Sequence, residues 1–376
     1  MAITSYRKPK SPSRFKLGEK LKDVKEEIKI LGAGISGLTA GIILAKNNYP
    51  VKIFEKRSRV GSFIKKDIHS LRNYSYDYDV IEKYKELGIK ISNFYPIFKE
   101  FRFSPSLKYI EIYSKNKPLF YNVIRGYADE RSLDIDLFNQ AKKYGAEFIF
   151  NSNIDPDKKS DIDIIATGAV YRKGLVYGQH YKNISIEPNA LYFFLQNVHS
   201  SYAYSYIVPF SENEASLAIV SPRQENKEYI KKEFNKLLKE NNVVKKVIKN
   251  ANLENDFFGY ASFKIPETAI KHKKLYVGEA AGFLDATTGY GIHFAVLSGY
   301  LAAQSIIKNK NYDELWKNSF EEELKKRIIR RNLMKKLGVK GQKMMIENLV
   351  KKYGNRISIE DYNKIYDKIP KINKII

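Results

Sequence analysis

Ten consecutive residues constrain this chain more than any others: the apolar run Ile28-Lys29-Ile30-Leu31, followed at once by Gly32-Ala33-Gly34-Ile35-Ser36-Gly37. A strand that turns directly into a helix needs glycines at this spacing. Gly32 permits the tight turn, Gly34 leaves the backbone bare for a ligand, and Gly37 lets the helix lie close to the strand. The first N–H groups of that helix then face whatever sits over the turn, and the aligned peptide dipoles favour phosphate oxygens there. The helix reads to about Lys46, Asn47-Asn48-Tyr49-Pro50 ends it, and Val51-Lys52-Ile53-Phe54-Glu55 is a second strand. Glu55 lies 18 positions after Gly37, at the end of that strand, where a carboxylate accepts hydrogen bonds from an adenosine ribose. Lys56 follows it at the same edge. The register predicts a dinucleotide site built from Gly32, Ala33, Gly34, Ile35, Ser36, Gly37, Glu55 and Lys56.

Beyond this βαβ opening the pattern changes several times. Residues 62–92 read as helical and polar in places, and residues 93–125 alternate like antiparallel strands. Helical periodicity returns at Asp129–Gly145, and "AEFIFNSNI" and "DIDIIATGA" read as short strands. Residues 171–221 are strand-rich and aromatic, and "KEYIKKEFNKLLKENN" is a helix with a charged outer face. A further strand, "KKLYVG", precedes a long helix at 290–307, and from Asp313 the chain reads as mostly amphipathic, basic helix. No internal repeat and no low-complexity linker is present.

The expected fold is therefore α/β, with a discontinuous Rossmann-type unit (27–92, 126–170 and 274–308) interleaved with an antiparallel substrate domain (93–125 and 171–273). A basic extension (1–26) precedes them and a helical region (309–376) follows.

The glycine motif alone does not choose between FAD and NAD(P). Two later stretches do. "DIDIIATGA" is a strand running into Ala166-Thr167-Gly168, and "LYVGEAAGFLDATTGYGIHFAVLSGYLAA" is a strand, an acid, a run of small residues and a helix. With "KILGAGISGLTAGIILAKNNYPVKIFEK", they resemble the FAD-dependent family that includes geranylgeranyl reductases, close to the para-hydroxybenzoate-hydroxylase group. "SYAYSYIVPF" and "EASLAIVS" resemble that family's aromatic stretch and the strand after it, so the resemblance covers most of residues 27–308.

The resemblance implies FAD as cofactor and a role for each matching position. Ala166, Thr167 and Gly168, with Ile154, would lie at the adenine end. Gly278, Glu279 and Gly282 would lie by the ribityl chain and pyrophosphate, Glu279 standing where the family has an aspartate. Gly289, Tyr290, Gly291 and Ile292 would bring backbone N–H groups to the flavin's N1–C2 edge. Arg125 would stand near the cofactor, with Arg131 competing for that place. Tyr204, Tyr206, Pro209 and Phe210 would line an apolar substrate tunnel.

The activity implied is reduction of isoprenoid C=C bonds, on prenyl lipids or prenyl diphosphates, by hydride transfer from flavin N5. The chain has no second Gly-x-Gly-x-x-Gly, so an external donor such as NAD(P)H or ferredoxin is required. The same scaffold supports an FAD monooxygenase on an apolar or aromatic substrate.

Three departures from the family pattern bear on the substrate. There is no cysteine, and "GSFIKKDIHS" occupies the region where several archaeal relatives carry a cysteine motif. The aromatic stretch reads Tyr-x-Tyr-x-x-Pro-Phe rather than Tyr-x-Trp-x-Phe-Pro, and the tail beyond 310 is short.

Composition narrows the remaining classes. Without cysteine there are no disulfides, thiolate metal sites or cysteine nucleophiles. The five histidines have no zinc-like spacing, so no metal is expected, and no catalytic side chain stands out; for His293, in the first turn of the late helix, packing is favoured over catalysis. The net charge of +24 is spread evenly alongside abundant Lys, Ile, Asn, Tyr and Phe, a compositional bias rather than a nucleic-acid patch, and no nucleic-acid module accompanies it. No run reaches the ~18 apolar residues of a membrane span, and the first residues have no apolar core. A cytoplasmic protein is expected, peripheral to the membrane if the basic run "KKRIIRRNLMKKLGVKGQKMM" lies on lipid rather than on the domain.

Overall fold

A computed structural model describes residues 25–157, 161–169, 174–195, 204–221, 226–261 and 264–366. All but the last two residues of the expected basic extension lie outside the described residues. The glycine motif sits in a six-stranded sheet. Its order is Ile270–Lys271, Lys274–Tyr276, Ile164–Ile165, Ile28–Leu31, Val51–Phe54 and Glu147–Ile149. All neighbours run parallel except the first pair. The central strands are short and nearly all apolar because both faces are covered: Ile30, at register with Ile53 and Ile164, is fully buried.

One covering element is the glycine-loop helix, Ile35–Lys46, in which every residue but Lys46 is buried. A helix apolar all round must be packed on more than one side. Here the second side is the late helix, Ile292–Lys308. Gly299 permits the approach: a Cβ there would stand 2.3 Å from the Ser36 carbonyl oxygen.

An eight-stranded sheet forms the second layer. Its order is Asn252–Ala261, Gly174–Lys182, Glu214–Ser221, Tyr204–Ser211, Ala190–Leu195, Lys99–Phe103, Tyr109–Tyr113 and Arg356–Ser358. It is antiparallel but for two pairs: Ala190–Leu195 with Lys99–Phe103, and Arg356–Ser358 with Tyr109–Tyr113. The helix Lys227–Glu240, capped by Asn226, buries Ile230, Phe234 and Leu237 against this sheet. A small antiparallel sheet of Asp67–Arg72, Phe120–Arg125 and Tyr95–Ile97 joins the two layers. The fold is mixed α/β, a Rossmann-type sheet interleaved with a largely antiparallel one and followed by helices.

One local reading is corrected. Residues 67–72 are a strand, not part of a helical stretch: "DIHSLR" pairs residue for residue with Phe120–Arg125, and only Val80–Glu86 is helical nearby. The tail is mostly helix, as expected, with one strand in it. Arg356–Ser358 adds an edge strand, with Ile357 buried beside Ile110 and Ile112. The long helix Glu322–Tyr353 is broken at Gly338, whose φ of 58° and ψ of −170° lie outside the helical region.

Candidate functional site

The first glycine turn is shaped by two close approaches and one open face. Gly32 has φ 107°, and a Cβ on it would lie 2.3 Å from the Ala166 carbonyl oxygen. Gly37 fits against the same turn, whereas nothing lies within 4 Å of a Cβ placed on Gly34. Gly34 is the N-cap of the glycine-loop helix, with no side-chain cap and no acid in the first turn, so that face is open and its donors are not spent on a side chain. Ile35, Ser36 and Gly37 form that first turn, all buried. These residues fit a pyrophosphate.

Glu55 accepts hydrogen bonds from Ala33 N and Arg57 N, each at 3.0 Å, so its carboxylate braces the turn while remaining partly exposed. Lys56 is exposed beside it. Ala166 is buried and donates its N–H to Leu31 O at 2.7 Å; Thr167 is exposed and Gly168 has φ 81°. Ile154 packs with Leu31, Phe54, Ala280 and Ala281, at the same end of the sheet.

The late stretch returns to this turn. Gly278 has φ 58°, and a Cβ there would lie 2.8 Å from Ser36 Oγ. Its N–H donates to Ser298 Oγ at 2.9 Å. Gly282, φ 91°, presses against the Lys264 carbonyl. Gly289, Tyr290 and Gly291 then lead into the late helix, whose N-cap Gly291 also provides no side-chain cap and whose first turn holds buried Ile292 and no acid. Two uncapped helix N-termini thus lie at one place, one for phosphate and one for a second negative charge.

Glu279 stands between them, 3.7 Å from where a Cβ on Gly291 would lie. Burial pushes its carboxyl up to about 7, against the charge of Arg125, which holds it down. Arg125 itself is not free. Its Nε and Nη2 donate to the Asp134 carboxylate at 2.8 and 3.0 Å, and Asp134 also accepts from Gly126 N. Burial works against that charged carboxyl, and Arg125 outweighs it. Arg131 is held elsewhere, by Asp129 and Glu214, above the Phe210 ring.

A histidine–carboxylate pair lies close by. His69 Nε2 is 2.9 Å from Asp67 Oδ2; Asp67 is buried and the His69 side chain is 37% exposed. They share one face of their strand, with Asp67 opposite Arg125 and His69 opposite Val123. Reading this stretch as helical hid them; the Asp-x-His spacing, at strand period, was the available signal.

The Gly289–Gly291 turn leads into an open pocket. Tyr204 lines it and donates to Thr288 O at 2.6 Å, fastening the aromatic strand to the turn that holds Thr287, Thr288 and Tyr290. Phe120, Phe193, Leu195 and Met334 supply apolar wall. Polar side chains complete the wall. Arg102 donates to both oxygens of buried Glu100, at 2.8 and 3.0 Å. Arg72 donates to Asp285 at 2.6 Å and to Thr288 at 2.7 Å. Burial raises the Asp285 carboxyl, but Arg72 and Arg327 outweigh it and hold it down to about 2.

Tyr206, Pro209 and Phe210 are not among the lining residues. Pro209 O accepts from Asn122 Nδ2, Phe210 is buried under Arg131, and Tyr206 is half-buried with its hydroxyl pushed up by burial. Behind Arg72 and Tyr290 a smaller space, about the size of one water molecule, reaches His293. That ring is buried between the Tyr78 and Tyr84 hydroxyls, at 3.2 and 2.8 Å. Burial, and then the charge of Arg327, push it down to about 3, so it is neutral.

Comparison with known proteins agrees with this geometry. Residues 30–67 match the family described as NAD(P)-binding Rossmann-like domain. An uncharacterized protein of Methanocaldococcus jannaschii is 26% identical over 180 residues, 45% of this chain and 44% of that protein, so the match spans under half of the relative. A geranylgeranyl bacteriochlorophyll reductase-like protein from Thermoplasma acidophilum superposes with a TM-score of 0.71 at 19% identity, over 85% of this chain and 90% of that one. A flavin-dependent brominase superposes with a TM-score of 0.60 at 16% identity, over 86% and 90%. At these identities the likeness is one of fold, and the same fold is found in an FAD-dependent halogenase and in 2-methyl-3-hydroxypyridine-5-carboxylic acid oxygenase.

Proposed function

We propose, with that flavoprotein fold as premise, that the chain binds FAD, is an FAD-dependent oxidoreductase, and reduces C=C bonds of an isoprenoid substrate. The observation that carries the cofactor is the meeting of the two uncapped helix N-termini where Gly278 lies on Ser36. When bound, FAD supplies the hydride chemistry. The glycine turn binds its pyrophosphate, Glu55 and Ile154 hold the adenosine end, and the Gly289–Gly291 backbone faces the ring edge. Glu279 lies by the ribityl chain. Arg125 is a positioning residue, acting through its charge on Glu279. The division into cofactor segments (27–92, 126–170, 274–308) and substrate segments (93–125, 171–273) follows from this reading.

The chain's own part in the reaction is to orient the alkene and exclude water. The Tyr204–Thr288 bond fixes the pocket against the Gly289–Gly291 turn. Electrons come from an external donor. Anaerobic mixing of the reduced holoprotein with a geranylgeranyl-bearing lipid tests this: reoxidised flavin and a saturated product are expected, and neither appearing sinks the substrate assignment.

A second reading is favoured by the two arginines in the pocket wall. They lie over aromatic rings, Arg72 over Tyr290 and Arg102 over Phe193, which suits an uncharged aromatic substrate and a monooxygenase. Substrate-stimulated oxygen uptake with NAD(P)H would select it.

A further inference from the structure

Between Glu323 and Glu347 the chain carries nine basic residues and no acid. Several have internal work. Arg327 is buried and paired with Glu323, Arg331 donates to Ala286 O, and Lys325 and Lys326 pair with acids one turn earlier. Lys335, Lys336 and Lys340 are different. All three are exposed, and among the described residues none has a carboxylate partner.

These lysines flank the break at Gly338. A Cβ on Gly338 would meet nothing within 4 Å, so the break projects into open space. Its base is clipped shut by Gln342 Nε2 donating to Met334 O at 3.2 Å. Leu337, at the tip, is 39% exposed, and Met344 on the same helix 53%. Met334 and Gln342 are also walls of the pocket. The inner side of the projection closes the pocket, and the outer side is cationic and apolar.

We propose that this projection docks the protein on an anionic lipid bilayer, with Leu337 entering the headgroup layer and Lys335, Lys336 and Lys340 against lipid phosphates. A planar anionic surface uses both features at once: the positive charge attracts it and the apolar tip has somewhere to go. Nucleic acid would use only the charge. Docking sets the pocket wall formed by Met334 and Gln342 at the bilayer, the source of an apolar substrate.

The test is flotation of the full-length holoprotein with phosphatidylcholine vesicles, with and without one third phosphatidylglycerol, at about 0.15 M salt. Binding to the anionic vesicles alone is expected. Lys335→Gln/Lys336→Gln/Lys340→Gln should weaken it about a hundredfold. Leu337→Asn should weaken it further at high salt, where screening leaves the apolar contact dominant. The control, Lys245→Gln/Lys246→Gln/Lys249→Gln, removes three exposed lysines elsewhere and should leave it unchanged. The proposal is overturned if wild-type protein does not float, if the control loses as much as the tip variant, or if duplex DNA binds the tip and displaces the vesicles. None of these readouts needs turnover, so they stand apart from the choice of substrate.

Discussion

A Cβ on Gly37 would stand 2.1 Å from the carbonyl oxygen of Gly32, while one on Gly34, between them, would touch nothing. The glycines of one motif therefore answer to different constraints. Gly37→Ala forces helix and strand apart and should cost about 2–3 kcal/mol of stability, read as a lowered denaturation midpoint. Gly34→Ala, at φ −84°, should change stability by less than about 0.5 kcal/mol. Its methyl group stands where pyrophosphate must come, and flavin-fluorescence titration should show FAD binding weakened at least about tenfold.

Glu279 gives stability an unusual slope. Its folded carboxyl titrates near 7 and its ordinary value is 4.5. Between those values the folded chain keeps a proton that the unfolded chain has lost. Stability contributed by this group is thus full below about pH 4.5 and lost as pH rises through 7, by about 2–3 kcal/mol. Urea midpoints of FAD-free protein across this range should show Glu279→Gln gaining on wild type as pH rises. A constant difference would refute the assignment.

His293 acts in the opposite direction. Folded, it resists protonation down to about 3; unfolded, it takes a proton below its ordinary 6.5. Its contribution is full above 6.5 and falls on acidification, by about 2 kcal/mol at pH 5. Replacing it with Gln should flatten the acid limb over that window. The ring's own resonances should show no titration above pH 5.

The Glu100–Arg102 pair should behave as a unit. Glu100→Gln alone leaves a buried guanidinium without its counter-charge and should cost about 3–5 kcal/mol. Glu100→Gln/Arg102→Met should recover most of that loss. Denaturant melts of both single variants and the double variant complete the cycle.

The parts of the fold legible in the sequence were those fixed by local steric need. Gly32 to Gly37, the strands around them and the late small-residue stretch have patterns that few other structures tolerate. Tertiary pairing decided the rest. Asp67–Arg72 shows its period of two only against Phe120–Arg125. The edge strand Arg356–Ser358 exists because Tyr109–Tyr113 offers it a partner 245 residues back, as the Arg356–Glu111 contact records. In the candidate site, Tyr204 was legible as an aromatic wall, but the ion pairs beside it were not, because Glu100 and Arg102 look like any exposed pair at strand spacing. Arg125 was legible only through the family resemblance, and Asp134 as its partner was not legible at all, since no local pattern joins them.

The strand neighbours Ile28–Leu31 and Ile164–Ile165 have consequences in time as well as in space. Lys29 N meets the carboxylate of Asp163 across 134 residues, and Lys274–Tyr276 must arrive later still to complete the parallel run. Such distant pairing makes folding slow, and it leaves apolar strand edges bare while the ribosome is still supplying their partners. The glycine turn is translated well before the Gly278–Gly291 stretch that returns to it. Newly made chains should therefore depend on chaperones over that interval, and cofactor capture should come late in maturation.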